Sequence, residues 1–181
     1  MALSGPRLDQ LIDFLESLGA SARAHTGRTF LEHCLAVGNI LAGWDCRDDV
    51  CLAGVCHSIY GTETSRVSAL GLDRRDQLRA ITGDAAEELA YLNCAIDRRS
   101  LDLAMLSDPP SLRLRDRLTR SLVELPRATF DDLLRVHLAD WIEQVPHSGI
   151  GAYRRDTQTR IAAWLGGAPL AAFDALGRAR R

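Results

Sequence analysis

The chain has 181 residues, 46% hydrophobic and 25% charged, which suits one globular domain rather than a disordered segment. Its 22 basic and 24 acidic residues leave a net charge of −2, so no basic field favours nucleic acid or an anionic membrane surface. Every basic residue is arginine, and without a lysine amine Schiff-base chemistry, pyridoxal-phosphate attachment and a Walker-type phosphate loop are excluded.

Leu8, Leu11, Ile12, Leu15 and Leu18 repeat at helical spacing, and Gly19 stops the run. Thr29-Phe30-Leu31-Glu32 has the form of a capping box and opens a helix to about Gly43. That helix is apolar almost all round (Leu31, Leu35, Val37, Ile40, Leu41), so it is expected deep in the core. Asp48-Asp49 cap a third helix, Val50 to about Tyr60, whose small residues Ala53, Gly54 and Cys56 let a neighbour approach closely. Gly61 ends it, and a loop from Thr62 to Gly71 follows. Further helices are expected from near Asp73, from Ala85 to about Ile96, and from a Thr129-Phe130-Asp131-Asp132 cap through Ile142 to Pro146. The last two run from about Tyr153 to Leu165 and beyond Pro169. No run shows sustained strand alternation, so the fold class is all-α. The break at Pro109-Pro110 is the strongest punctuation, and the tail Arg178-Ala179-Arg180-Arg181 reads as a frayed, solvated end.

The opening residues lack the apolar stretch of a secretory signal. The longest uncharged runs, 34–44 and 50–62, fall short of the roughly 20 residues that span a bilayer. The five cysteines are odd in number and form no C-x-x-C pair, so a reducing cytoplasm without membrane attachment is expected.

His33, His57 and Asp140 are polar groups that helical pattern places on or near buried faces. Burying such groups unpartnered costs several kcal/mol, so they are expected to meet one another, a metal or some other partner. Two imidazoles and a carboxylate suit a divalent transition metal with open positions for water or substrate. Taken singly, a buried histidine commonly donates to a backbone carbonyl and a helical aspartate commonly faces water. His137, three residues before Asp140, reads as a support to the ligands or, more plainly, a partly exposed helix residue; His25, before Thr26-Gly27, reads as pocket mouth or, more plainly, surface loop; His147 follows Pro146 with no specific role. The cysteines read as small buried hydrophobes. A nucleophilic set of Cys56, His57 and Asp140 ranks below the metal reading, because adjacent helical residues diverge by about 100°. Asp97, in Asp97-Arg98-Arg99, is the alternative carboxylate, with a structural ion-pair cluster as its plainer reading.

Three stretches occur in order: Arg28-Thr29-Phe30-Leu31-Glu32-His33, Leu52-Ala53-Gly54-Val55-Cys56-His57-Ser58 and Val136-His137-Leu138-Ala139-Asp140. Together they resemble the HD-domain metal-dependent phosphohydrolases, over about residues 25–145. The resemblance implies a single compact HD-like helical bundle over 1–181, with 150–181 as a C-terminal helical extension. It implies His33, His57 and Asp140 as metal ligands and Arg28 near a substrate phosphate, a task that suits the guanidinium fork. The chain departs from the family at Ser58, where the His-Asp doublet has its aspartate; a hydroxyl is a weaker ligand, so one ion at most (Fe, Mn or Zn) is expected. His57-Ser58-Ile59-Tyr60-Gly61-Thr62-Glu63 also resembles a divergent HD-like subgroup with H-S-x-Y-G-T-E, of undefined function. There Glu63 is a candidate ligand or general base, or else a solvated loop residue, and Tyr60 a donor to a bound oxyanion, or else a core aromatic.

The leading expectation is a metal-dependent hydrolase of a phosphorylated or otherwise anionic small molecule. The alternatives are an iron-dependent HD-fold oxygenase and a non-catalytic HD-fold binder that has lost its metal.

Overall fold

Pro6 starts α1 (Pro6–Ser17), where its missing N–H costs nothing, and Leu8, Leu11 and Leu15 form the buried stripe. In the computed structural model the described residues are 3–25, 27–63 and 68–178, the side chains of His25 and Arg178 excepted. The expectations for the His25 side chain and for the tail beyond Gly177 therefore lie outside the described residues.

A two-residue hairpin, β1 (Ala24–His25) with β2 (Arg28–Thr29), delivers the chain to α2 (Phe30–Gly43). The capping box forms there: Thr29 Oγ1 accepts from the Glu32 amide at 3.2 Å, and the Thr29 amide donates to Glu32 Oε2 at 2.8 Å. Helix α3 (Asp48–Cys56) crosses α2 at very close range. A β-carbon on Gly38 would stand 2.5 Å from Val55 Cγ2, and one on Gly54 would overlap Leu41 Cδ1, so both glycines permit the crossing by what they lack.

The third helix ends at Cys56, four residues earlier than the expected Tyr60, so His57 stands at its C-cap rather than inside it. Tertiary bonds take the place of another helical turn: the His57 carbonyl accepts from Asn93 Nδ2 at 2.8 Å, and the Ile59 carbonyl accepts from the amides of Ala69 and Leu70.

A 3-10 turn (Leu72–Arg74) leads to α4 (Arg75–Thr82), and α5 (Asp84–Ala95) follows. Then comes α6 (Arg98–Leu106), absent from the sequence expectations, capped by Asp97, whose Oδ1 accepts from the Ser100 amide at 2.7 Å. Asp97 is thereby spent as a cap and is no alternative ligand. The hairpin β3 (Arg113–Arg115) with β4 (Leu122–Glu124) also departs from expectation; each strand has three residues, too few for a visible alternation.

The longest helix, α7 (Arg127–Gln144), packs against α2, α3 and α5 on one side and against α8 (Arg155–Leu165) and α9 (Gly167–Arg178) on the other. Trp141 stacks on Phe173 with ring centroids 5.7 Å apart, so the last two helices share the core of the others. The all-α expectation holds, with two small hairpins added. No helix among the described residues is long and apolar enough to cross a membrane.

Candidate metal centre

His33 projects from the first turns of α2, His57 from the end of α3 and Asp140 from the last turns of α7. Their donor atoms form a triangle. His33 Nε2, His57 Nε2 and Asp140 Oδ1 are each 3.3 Å from the other two. The centre of such a triangle lies about 1.9 Å from each corner, so an ion slightly above its plane would reach all three at the roughly 2.0–2.2 Å of nitrogen and oxygen ligation. Among the described residues these three are the group of histidine, cysteine and acidic side chains whose donor atoms converge in this way.

The protons on the rings make the case stronger. His57 Nδ1 lies 2.7 Å from the Gly54 carbonyl, which can only accept, so that nitrogen carries the ring proton. His33 Nδ1 faces Glu143 Oε2, so it too is the donor. In the neutral rings both Nε2 atoms therefore bear lone pairs, aimed at each other and at a carboxylate oxygen. Three electron-rich atoms at this spacing repel unless a cation lies between them. Where no ion is bound a proton on the rings takes its place: burial alone would raise the Asp140 pKa, but positive charge at His57 and hydrogen bonds from both rings hold it well below the ordinary carboxylate range. Gln144 Nε2 donates to the same Asp140 oxygen at 2.6 Å and fixes the rotamer.

Glu143 is the residue that sequence reasoning missed. It is buried one turn beyond Asp140, and it joins His33 to the guanidinium of Arg28. A carboxylate behind a ligating imidazole fixes the ring and raises its basicity. The available signal was the spacing His137, Asp140, Glu143, three titratable residues at i, i+3, i+6 along one face of the helix.

A cavity of about 540 Å³ opens beside the triangle, lined by His33, His57, Asp140 and Ser58. Trp141, Phe30, Ile150 and Tyr153 supply apolar wall. Three arginines also line it: Arg23, Arg98 and Arg154. Arg154 has a left-handed backbone (φ 51°), a conformation that costs an ordinary residue about 1 kcal/mol or more. Its guanidinium binds Asp102 and the Arg98 carbonyl, which ties the 149–154 segment to α6.

Several residues expected at the site are placed elsewhere. Arg28 is behind His33, on Glu143, and does not line the cavity. The hydroxyl of Tyr60 donates to Glu87 Oε1 at 2.9 Å, inside a network with Arg75 and Arg79, because a buried phenol needs an acceptor and Glu87 supplies it. Glu63 Oε2 accepts from the Arg98 amide at 2.7 Å, satisfying one of the orphan N–H groups at the start of α6. Neither Tyr60 nor Glu63 lines the cavity. His147 is exposed just past α7. Cys56 donates to the Leu52 carbonyl, and burial raises its pKa far above the usual thiol value, so it is no nucleophile. The hydroxyl of Ser58 is buried in the cavity wall without an oxygen or nitrogen partner among the described residues.

A family described as a domain of unknown function (DUF6817) matches residues 14–98, a stretch that holds His33 and His57 but stops before Asp140. No curated protein and no solved structure matches the chain.

Proposed function

We propose that this chain is a metal-dependent enzyme of the HD type, most simply a hydrolase of a phosphorylated or otherwise anionic small molecule. The observation that carries the reading is the 3.3 Å triangle of two imidazole Nε2 atoms and a carboxylate oxygen beside an arginine-lined cavity. A divalent ion held there would supply Lewis-acid polarisation and acidify a water. His33 and His57 hold their lone pairs in place through Nδ1–H bonds, and Asp140 lends the charge that offsets the ion. The cationic wall attracts an anion, and the aromatic and aliphatic wall excludes bulk water. With Ser58 neutral and Glu63 turned to α6, the donor set suits one ion. Five unpaired cysteines among the described residues suit a cytosolic setting.

The same face of two histidines and one carboxylate also serves iron(II) oxygenases, and this geometry favours that second reading over a metal-free binder. Elemental analysis of chelator-free protein is expected to give about one Fe, Mn or Zn per chain. His57→Ala and Asp140→Ala are expected to release it. A phosphate-ester panel then separates hydrolysis from oxygen consumption by the iron-loaded protein. Protein that holds no metal and takes none up on soaking would sink both catalytic readings.

A further inference from the structure

Arg98 is the arginine that the fold buries among the described residues. Arg28, Arg75 and Arg154 each meet a carboxylate directly. Arg98 is 7% exposed, and every acceptor its guanidinium contacts is neutral: His137 Nδ1 at 2.9 Å, the Asn93 carbonyl at 3.2 Å and Asn93 Oδ1 at 3.4 Å. A buried charge without a counter-ion in contact is costly, and here it stands in a cavity wall.

Its bond to His137 settles the next group along. A guanidinium can only donate, so His137 Nδ1 accepts, and the ring proton lies on Nε2. Burial, with Arg98 and Arg154 nearby, keeps this imidazole neutral by holding its pKa well below the ordinary value. His137 Nε2–H must then donate to the side chain of Gln158, 3.2 Å away, and the amide must present its oxygen there. A half-turn of the amide leaves its NH2 at the other terminal position, which is buried and has no partner among the described residues. Gln158 is 1% exposed and lines the same cavity.

We propose that Arg98 and Gln158, bridged by His137, form the subsite for a compact oxyanion of the substrate, one helical turn from Asp140. This rests on the reading of the cavity as a substrate pocket but not on the ion. The chemistry is shared by a phosphate group and a carboxylate: a full positive charge and a fixed N–H donor, both already desolvated. Residues at i and i+3 on a helix lie about 5–6 Å apart at Cβ, so one small molecule can touch both this subsite and the donor triangle.

The test is calorimetric titration of metal-free protein with inorganic phosphate and, in a second arm, acetate. The wild type is expected to bind at least one with Kd of about 10 mM or tighter. Gln158→Glu keeps an acceptor for His137 but sets a carboxylate in the subsite, and it should weaken that binding at least tenfold. If it does not fold, Gln158→Leu should weaken it at least threefold. Absence of binding at about 50 mM, or unchanged affinity in the folded variant, overturns the proposal. A metal titration of the wild type beside the anion titration separates the two claims, because the anion arm is run on metal-free protein. Wild-type protein that binds phosphate but no metal would end the metal reading and leave the subsite standing.

Discussion

Glu143 stands between His33 and Arg28, one carboxylate oxygen on the imidazole and the other on the guanidinium. The candidate ligand on α2 is thus oriented by a residue of α7, which carries a second candidate of its own. Glu143→Gln removes the charge that makes the His33 ring basic and should lower metal affinity about 10–100-fold. Arg28→Met leaves Glu143 buried without its cation and should cost about 1–3 kcal/mol, below the fully buried case because Arg28 keeps some water. Metal titration and thermal melts of the two variants read these effects separately.

Metal uptake should stabilise the wild type and should weaken on acidification, since protons compete for the same imidazole nitrogens. At saturating Mn²⁺ or Zn²⁺ (about 100 times Kd) the gain is about 2.7 kcal/mol, and Asp140→Ala should lose most of it. Scanning fluorimetry with and without chelator at neutral and mildly acidic pH is sufficient. Identical melting curves for wild type and Asp140→Ala at every metal concentration would contradict this.

Ser58→Asp places a carboxylate beside His57. In the metal-free protein a new charge in the cavity wall should destabilise by about 1–3 kcal/mol, and metal should recover that loss. Calorimetry with Mn²⁺ is expected to show one site at most in the wild type and tighter or additional binding in Ser58→Asp. The wild type should also be slow on generic nucleotides and phosphomonoesters, lacking the paired clamp on attacking and leaving oxygens. Two tight wild-type sites would refute the weight placed on this hydroxyl.

Away from the cavity, Glu87 is fully buried and joins Tyr60, Arg75 and Arg79. Burial would raise its pKa, but Arg75 and the Tyr60 hydroxyl, with Arg79, pull it below the ordinary 4.5. A carboxylate depressed in the folded state stabilises the fold above its unfolded pKa, and the contribution fades as pH falls through the folded value. Wild-type stability should therefore drop as pH falls below about 5, and Glu87→Gln should be less stable at pH 7 with a flatter acid limb. Urea midpoints between pH 3 and 7 measure both.

The convergence of His33, His57 and Asp140 was legible in the sequence because each interrupts an apolar helical pattern, and burial of an isolated charge or imidazole is rare without a partner. Helices α1, α2 and α5 follow from periodicity and caps written within a few residues. What escaped was decided by contacts between distant segments. Glu63 and Tyr60 sit close to His57 in sequence, yet the first caps α6 and the second answers Glu87, and neither acceptor nor amide is visible locally. Arg98 reads as a surface ion-pair residue beside Asp97 and Arg99 until the fold buries it against His137. The short hairpins carry too few residues for a period to emerge, and α6 opens on Asp97, a cap that reads locally as an ion-pair residue beside Arg98 and Arg99.

Gly38 and Gly54 touch none of the three donors, yet they govern how far apart His33 and His57 stand. The two histidines ride on α2 and α3, and the separation of those helices is set by the β-carbons missing at positions 38 and 54. An ion held in the proposed site would therefore have its radius gauged by backbone proximity. A methyl group added at either glycine would widen the aperture and bias it toward larger ions, with all three ligands unchanged. In the proposed site, selectivity among divalent ions would drift through residues that never meet the ion.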